Sequence, residues 1–339
     1  MQQKQLEPVE PKEGVEWYLN EKEHENSPAT VKAHEYRLNH FIRWCDQNSI
    51  DNLNTLTGRD LHRYKQWRRD DGDLNNVSLQ TQLGTLRVFL KWGAKVDAVA
   101  EGLHDKILMP QLNKGENERD QKIDPEMAFE IINYLRTYKY ASRDHVLFEL
   151  MWHTAARLGG MHSLDVDDYH PNESYIEFNH RPETDTRLKN GFDGERPVAL
   201  GEDVCTILDD YISNTRYEVT SQERRPLIAS KDGRLSKSTM RQHIYRITHP
   251  CWHGAGCPDG KDELECEYSS NVDKAGGCPF NYNPHAIRRG SLTYHLLQDW
   301  SKENTSERAD VSPAVLEKHY DRRTAIEKLD QRRQDVKKL

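Results

Sequence analysis

Large apolar side chains are scarce in this sequence. Hydrophobic residues make up 35% of it and aromatic ones 9%, with only seven phenylalanines, whereas 31% of residues are charged. Such a composition argues against one large dry core and for modest cores lined by helices that are wet on one face. No apolar run approaches the roughly 18 residues that a membrane span needs, which speaks against a membrane protein. The N-terminus, MQQKQLEPVEPKEGVEWY, has no apolar signal-peptide core, so a soluble, cytoplasmic protein is expected. Basic charge is in deficit too: the formal net charge is −8, which at first sight excludes a nucleic-acid partner.

The distribution of charge removes that objection. Residues 1–26 hold seven glutamates against three lysines, and residues 258–276 hold six acids against two lysines. These two segments carry the whole excess, so the rest is balanced and can be locally basic. Arg59, Arg63, Lys65, Arg68 and Arg69 stand against one Asp60, Lys237, Arg241 and Arg246 form a second basic stretch, and the last 22 residues have eight Lys or Arg against four acids. Patches of this kind can follow a phosphate backbone, although solvated helix faces explain either one alone about equally well.

At 339 residues the chain is long enough for two domains. After an acidic leader (1–26), Ser27-Pro28 starts a helix, with Ser27 as cap and Pro28 in the first turn. Amphipathic runs follow at Val31–Cys45, at Arg59–Arg69 and at Leu79–Trp92, the last with Leu79, Leu83, Leu86, Phe89 and Leu90 on one stripe. Residues 27–110 therefore read as a small helical bundle, and 111–122 (QLNKGENERDQK) as an exposed linker. A second domain, 123–339, opens on Asp124-Pro125 and is also mainly helical. Its exception is a small hairpin or sheet edge formed by Tyr175–Phe178 and Arg196–Leu200.

Four separated features carry the chemistry. Arg157 follows an apolar helix in Thr154-Ala155-Ala156-Arg157-Leu158; Lys189 lies in the hairpin, seven residues before Arg196. Asn283-Pro284-His285-Ala286-Ile287-Arg288 places His285 and Arg288 three residues apart near the positive end of a helix, where together they could grip a phosphate. Tyr320 sits beside basic residues close to the C-terminus in Leu316-Glu317-Lys318-His319-Tyr320. Taken singly, a surface arginine, a solvated lysine and a packing tyrosine would be the ordinary interpretations.

In this order, however, the set resembles the tyrosine recombinase family of phage and archaeal integrases, whose signature is Arg, Lys, His-x-x-Arg and a C-terminal Tyr. The segments Pro284–Gly290 and Val311–Asp321 are most similar to integrases of salt-loving archaea and their proviruses. The resemblance implies a helical, SAM-like core-binding domain at 27–110 and an α-rich catalytic domain at 123–339. It implies site-specific recombination through a 3′-phosphotyrosyl link to Tyr320, with Arg157 and Arg288 clamping the phosphate, Lys189 as general acid and His285 assisting proton movement. It also implies double-stranded DNA at a specific attachment or crossover site as partner, a homotetramer on that DNA, and no catalytic cofactor. Two positions depart from the family pattern. The acidic residue usual three positions after the first Arg is Gly160 here, so whatever orients Arg157 must come from elsewhere. The His or Trp usual nine positions before the Tyr is Val311, and a lost phosphate contact would fall to His319 or another side chain. A type IB topoisomerase, which nicks and relaxes DNA with a similar site, and a noncatalytic zinc-bearing DNA-binding regulator are the competing interpretations.

Four of the six cysteines, Cys251, Cys257, Cys266 and Cys278, fall in one polar insertion (249–280) with His249 and His253, whereas Cys45 and Cys205 occupy helical, core-like positions. In a reducing cytosol such clustering favours a structural Zn²⁺ over disulfides. The intervals of five, eight and eleven residues match no common zinc-finger spacing.

Overall fold

A computed structural model describes residues 7–113, 116, 121–298, 300–321, 323–326, 328, 329 and 333, with Val272 and His319 lacking described side chains. The chain divides into two compact units, 1–119 and 120–339.

The described residues of unit 1 form four α-helices, α1 (Pro11–Glu25), α2 (Pro28–Gln47), α3 (Gly58–Asp71) and α4 (Asn76–Lys95). Each of the last three begins on a side chain that accepts an otherwise unpartnered backbone N–H: Ser27 from Thr30, Thr57 from Asp60, and Asn75 from Ser78. At Thr57 the Asp60 carboxylate reciprocates, a capping box. The core joins Tyr18, Leu38, Phe41, Trp44 and Cys45 to Tyr64 and to Leu79, Leu83, Leu86, Phe89 and Leu90 of α4. Residues 11–25, within the expected acidic leader 1–26, are instead a packed helix. Tyr18 is fully buried, and its hydroxyl lies 2.9 Å from His34 Nδ1.

Unit 2 is built around α6 (Arg143–Thr154), which is buried from His145 to Trp152 and so is apolar on nearly every side. It is preceded by α5 (Pro125–Tyr138) and followed by α7 (Leu158–Ser163). An antiparallel sheet in the order β1-β2-β3 comes next, from Tyr169–His170, Tyr175–Phe178 and Arg196–Ala199, with Phe178 opposite Arg196. Then come α8 (Glu202–Asp210), the two-stranded β4 (Ala229–Ser230) and β5 (Gly233–Arg234), α9 (Lys237–Ile247), α10 (Glu267–Ser270), α11 (Pro284–Leu297), α12 (Lys302–Ala309) and α13 (Pro313–Val315). A π-turn over Leu316–Tyr320 continues α13. The fold is thus mainly α with small antiparallel sheets.

Two devices position the segments that matter. Buried Asp165 accepts from Arg224 Nε at 2.5 Å and pairs with Arg234, while Asp168 accepts from Arg181 Nη1 at 3.0 Å. This network ties the start of the β2–β3 connection to the loop after α7. At the other edge, Ile123 donates its N–H to Ala286 O (3.2 Å) and Arg289 Nη1 donates to Gln121 O (3.2 Å), which lays residues 121–123 along α11. Among the described residues no helix is long and apolar enough to cross a membrane.

Candidate active site

Arg157 is positioned by the way α6 ends. Ala155 adopts a left-handed conformation (φ 52°, ψ 22°) that stops α6, and Arg157 then caps α7. Arg288 reaches the same turn from α11, which starts on Asn283, whose side chain accepts the Ala286 N–H at 3.0 Å. Arg288 is 1% exposed, and its Nη1 donates to the Ala155 carbonyl at 2.5 Å. Its Nε and Nη2 are buried and meet no acceptor of good geometry among the described residues. Burial, and then repulsion from Arg157, push its pKa down to about 10 against the favourable influence of the nearby Tyr320 oxygen, so it stays charged at neutral pH.

Tyr320 is half-buried at the end of the π-turn, with its ring centroid 5.2 Å from the Arg288 guanidinium carbon. Thr293 Oγ1, on α11, donates to the Tyr320 carbonyl at 2.9 Å and so fixes that turn against the helix. Arg157, Arg288 and Tyr320 are therefore brought together from three separate parts of the chain. Lys189 is exposed in the β2–β3 connection, next to Asn190, whose Nδ2 donates to Asp310 Oδ1 at 2.6 Å. His285 is exposed one turn before Arg288. The His319 side chain, a candidate for an extra phosphate contact, lies outside the described residues.

Three neighbours, Arg196, Arg308 and Asp310, escaped the sequence as site residues. Arg196, half-buried on β3, covers the Phe178 ring at 4.5 Å and donates through Nε to Arg308 O at 2.8 Å. Burial pushes its pKa down to about 10, with Arg157 and Arg308 adding to the shift and Asp310 opposing it. Asp310 itself accepts from Arg157 Nη1 at 2.7 Å. The site is thus a cluster of guanidinium groups with one carboxylate among them, a potential suited to a phosphate dianion or diester.

The chain matches the model of the phage integrase N-terminal SAM-like domain over residues 16–95 and that of the phage integrase family over 121–250. It belongs to the phage integrase family of tyrosine recombinases. Tyrosine recombinase XerD of Listeria monocytogenes is 22% identical over 299 residues, 86% of this chain and 88% of that protein. Tyrosine recombinase XerC 2 of Ralstonia nicotianae is 24% identical over 219 residues, 61% and 58% of the two chains. In fold, this recombinase is similar to a lambda integrase dimer bound to a COC′ core site (TM-score 0.65, 13% identity, 93% of this chain and 78% of that one). It is similar also to the Tn1549 transposon integrase in complex with a circular intermediate DNA (TM-score 0.65, 13% identity, 96% and 99%). The recombinase is accordingly a DNA breaking-and-rejoining enzyme that carries out site-specific recombination.

The basic rows expected to face DNA are not uniformly presented. Arg59 and Arg63 are exposed on α3, and Lys65 and Arg69 are half-buried, Arg69 donating to Asn76 Oδ1 at 3.1 Å. Arg68 corrects the expected exposed row: it is 4% exposed, donates to Gln82 Oε1 at 2.7 Å and pairs with Asp71 at 3.1 Å. On α9 Arg241 is exposed and Lys237 half-buried, whereas Arg246 pairs with Asp144 at 2.9 Å and covers the Trp252 ring at 5.3 Å.

In the cysteine-rich segment all four thiols are free, Cys251 in a 3₁₀ turn, Cys266 capping α10 and Cys278 closing a second 3₁₀ stretch. Burial raises the pKa of Cys251, helped by Glu263 and by Cys257, Cys266 and Cys278, so the other three sulphurs lie within electrostatic reach. Neighbouring His249 is 1% exposed; among the described residues neither of its ring nitrogens, nor the buried Nε2 of His253, has a hydrogen-bond partner. Among the described residues no three such donors are gathered tightly enough to hold an ion.

Proposed function

We propose that this recombinase cleaves and rejoins DNA through Tyr320, with Arg157 and Arg288 holding the scissile phosphate. Arg288 supports this reading most strongly. Two buried nitrogens of a charged side chain that meet no well-aligned acceptor among the described residues are costly, and they lie beside the Tyr320 ring, where the nonbridging oxygens of a phosphodiester would satisfy them. The Tyr320 oxygen attacks phosphorus, the bond to the 5′-oxygen breaks, and the electron pair leaves on that oxygen, which takes a proton from Lys189. His285 assists removal of the phenol proton. The phosphotyrosyl ester conserves the bond energy, and attack by the 5′-hydroxyl of another strand releases Tyr320, so neither ATP nor a catalytic metal is needed. The wild-type protein should give an SDS-stable adduct with a nicked substrate and should exchange strands between two sites. Supercoil relaxation without exchange would indicate a topoisomerase instead, and no adduct at all a DNA-binding regulator.

The partner is double-stranded DNA at a specific attachment or crossover site, with four copies of the chain at the synapse. Phosphates are contacted by Arg59, Arg63, Lys65 and Arg69 of unit 1 and by Lys237 and Arg241 of unit 2; Arg68 and Arg246, already paired, serve structure. Affinity should fall steeply with salt, each neutralised phosphate contributing roughly −0.9 to the log–log slope. Reversing the charge at Arg59 and Arg63 together should weaken binding at least about tenfold and flatten that slope. Unchanged affinity and slope would remove α3 from the interface.

A structural Zn²⁺ is proposed at Cys251, Cys257, Cys266 and Cys278. The mutual reach of the four thiols and the unpartnered nitrogens of buried His249 support it; binding would draw the sulphurs to roughly 2.3 Å from the ion. The ion would stabilise a polar loop that has little core of its own. Purified recombinase should contain about one zinc per chain, and chelation should lower its melting temperature by about 5 °C or more. Metal-free protein with an unaltered melt would refute the site.

A further inference from the structure

The Arg157 guanidinium is a long side chain at a capping position, and a phosphate clamp acts only if its fork is held in place before the phosphate arrives. The position three residues later, where a carboxylate would face it from α7, is Gly160. A Cβ there would lie 3.2 Å from two Phe178 ring carbons, so a larger side chain would require that ring to give by a few tenths of an ångström. The carboxylate beside Arg157 comes from 153 residues away, at the end of α12: Asp310 Oδ2 accepts from Arg157 Nη1 at 2.7 Å. Asp310 Oδ1 accepts from Asn190, the residue after Lys189. The carboxylate is held with care. Asp310 closes α12 in the left-handed region (φ 52°, ψ 61°), a conformation that aspartate tolerates better than most residues, and Gly194 leaves room for Oδ2, since a Cβ there would approach to 3.3 Å. Arg196, anchored on Arg308 O two residues before Asp310, braces the same corner.

We propose that Asp310 is the positioning residue of this site: one carboxylate oxygen orients Arg157, and the other holds the loop that carries Lys189, through Asn190. The proposal rests on the reading of Arg157 as a phosphate clamp. Asp310 takes over a task that Gly160, which has no side chain, cannot perform.

The test uses the full-length protein, a nicked DNA substrate and two readouts, DNA affinity and the rate of SDS-stable adduct formation. Asp310→Ala should slow adduct formation by roughly 10–100-fold, as loss of a supporting partner typically does, with affinity changed less than about threefold; Asp310→Asn, which keeps an acceptor but no charge, should fall between. Because Asp310 acts through Arg157, Asp310→Ala should add less than about twofold in an Arg157→Lys background. A merely structural aspartate would give the same loss in both backgrounds, and a carboxylate that only blocks the phosphate site would give faster cleavage in Asp310→Ala; either result overturns the proposal. Where Arg157→Lys leaves too little cleavage to follow, a crystal structure of Asp310→Ala decides. The Arg157 guanidinium should leave its position, and an unmoved guanidinium refutes the assignment. Should wild type itself give no adduct, the clamp reading fails first and is identified separately.

Discussion

Tyr320→Phe is expected to bind its DNA site as tightly as wild type and to form no SDS-stable adduct on a nicked substrate. Phenylalanine keeps the ring that packs 5.2 Å from the Arg288 guanidinium and against the cluster of Leu292, Leu296 and Leu316, so only the hydroxyl is lost. The loss of covalent chemistry should be complete, since nothing else at this position can attack phosphorus. Fifteen tyrosines are present, and Tyr294 is the nearest competitor because it shares α11 with His285 and Arg288. Its ring, however, packs edge-on against Phe129 at 5.3 Å and tilts against Trp152 at 5.7 Å, away from the arginine pair. Tyr294→Phe should therefore still form the adduct. An adduct that persists in Tyr320→Phe, or a phosphotyrosyl peptide that maps to another tyrosine, would overturn the assignment.

Arg288→Lys should lose about 10²–10³ in cleavage rate near neutral pH, because a point charge cannot reproduce two donors aimed at two oxygens. Its pH dependence is the more informative part. The burial and the repulsion by Arg157 and Arg196 that lower the Arg288 pKa to about 10 would act on a lysine in the same place, whose free value is only about 10.4. That lysine sheds its proton earlier than a solvated one, so residual cleavage should decline as pH rises from about 6 to about 9. Stability should move the other way. Between the lowered folded pKa and the unfolded value the unfolded chain binds more protons, and folding is therefore favoured as pH rises. Wild type, charged throughout that range, should show neither trend from this residue. Cleavage and stability falling together in Arg288→Lys would mean that the residue matters only for packing.

How much of this was legible before the fold was known depends on the range over which each residue acts. The caps at Ser27 and Asn283 are local and readable, because a side chain three residues from an N–H either reaches it or does not. The hairpin at 175–200 was readable from its alternation. Helix α1 was not: Val15, Tyr18 and Leu19 are too few among glutamates to form a stripe, and Tyr18 is recognised as core only once α2 and α4 cover it. Arg68 lies in the same basic row as Arg63, yet it turns inward to Gln82 and Asp71, acceptors that sequence order does not place beside it. Asp310 is the clearest case. The missing carboxylate at Gly160 was visible, but its replacement comes from the far end of α12, and only the fold brings the two together.

One contact bears on how this enzyme can be rebuilt. A Cβ at Gly290 would sit 2.2 Å from the Ile123 carbonyl oxygen, so the segment entering unit 2 is laid directly on the backbone of the helix that carries His285 and Arg288, with the Ile123 N–H bonded to Ala286 O. Residues 121–123 thus behave as a splice glued along a beam. Spacer length added upstream of Gln121 leaves that joint whole, whereas a seam cut between Gln121 and Asp124 would free the beam at the turn that carries His285 and Arg288. For a chimaera with a foreign DNA-reading module, the usable cutting point is therefore set by α11 rather than by the composition of the polar connector.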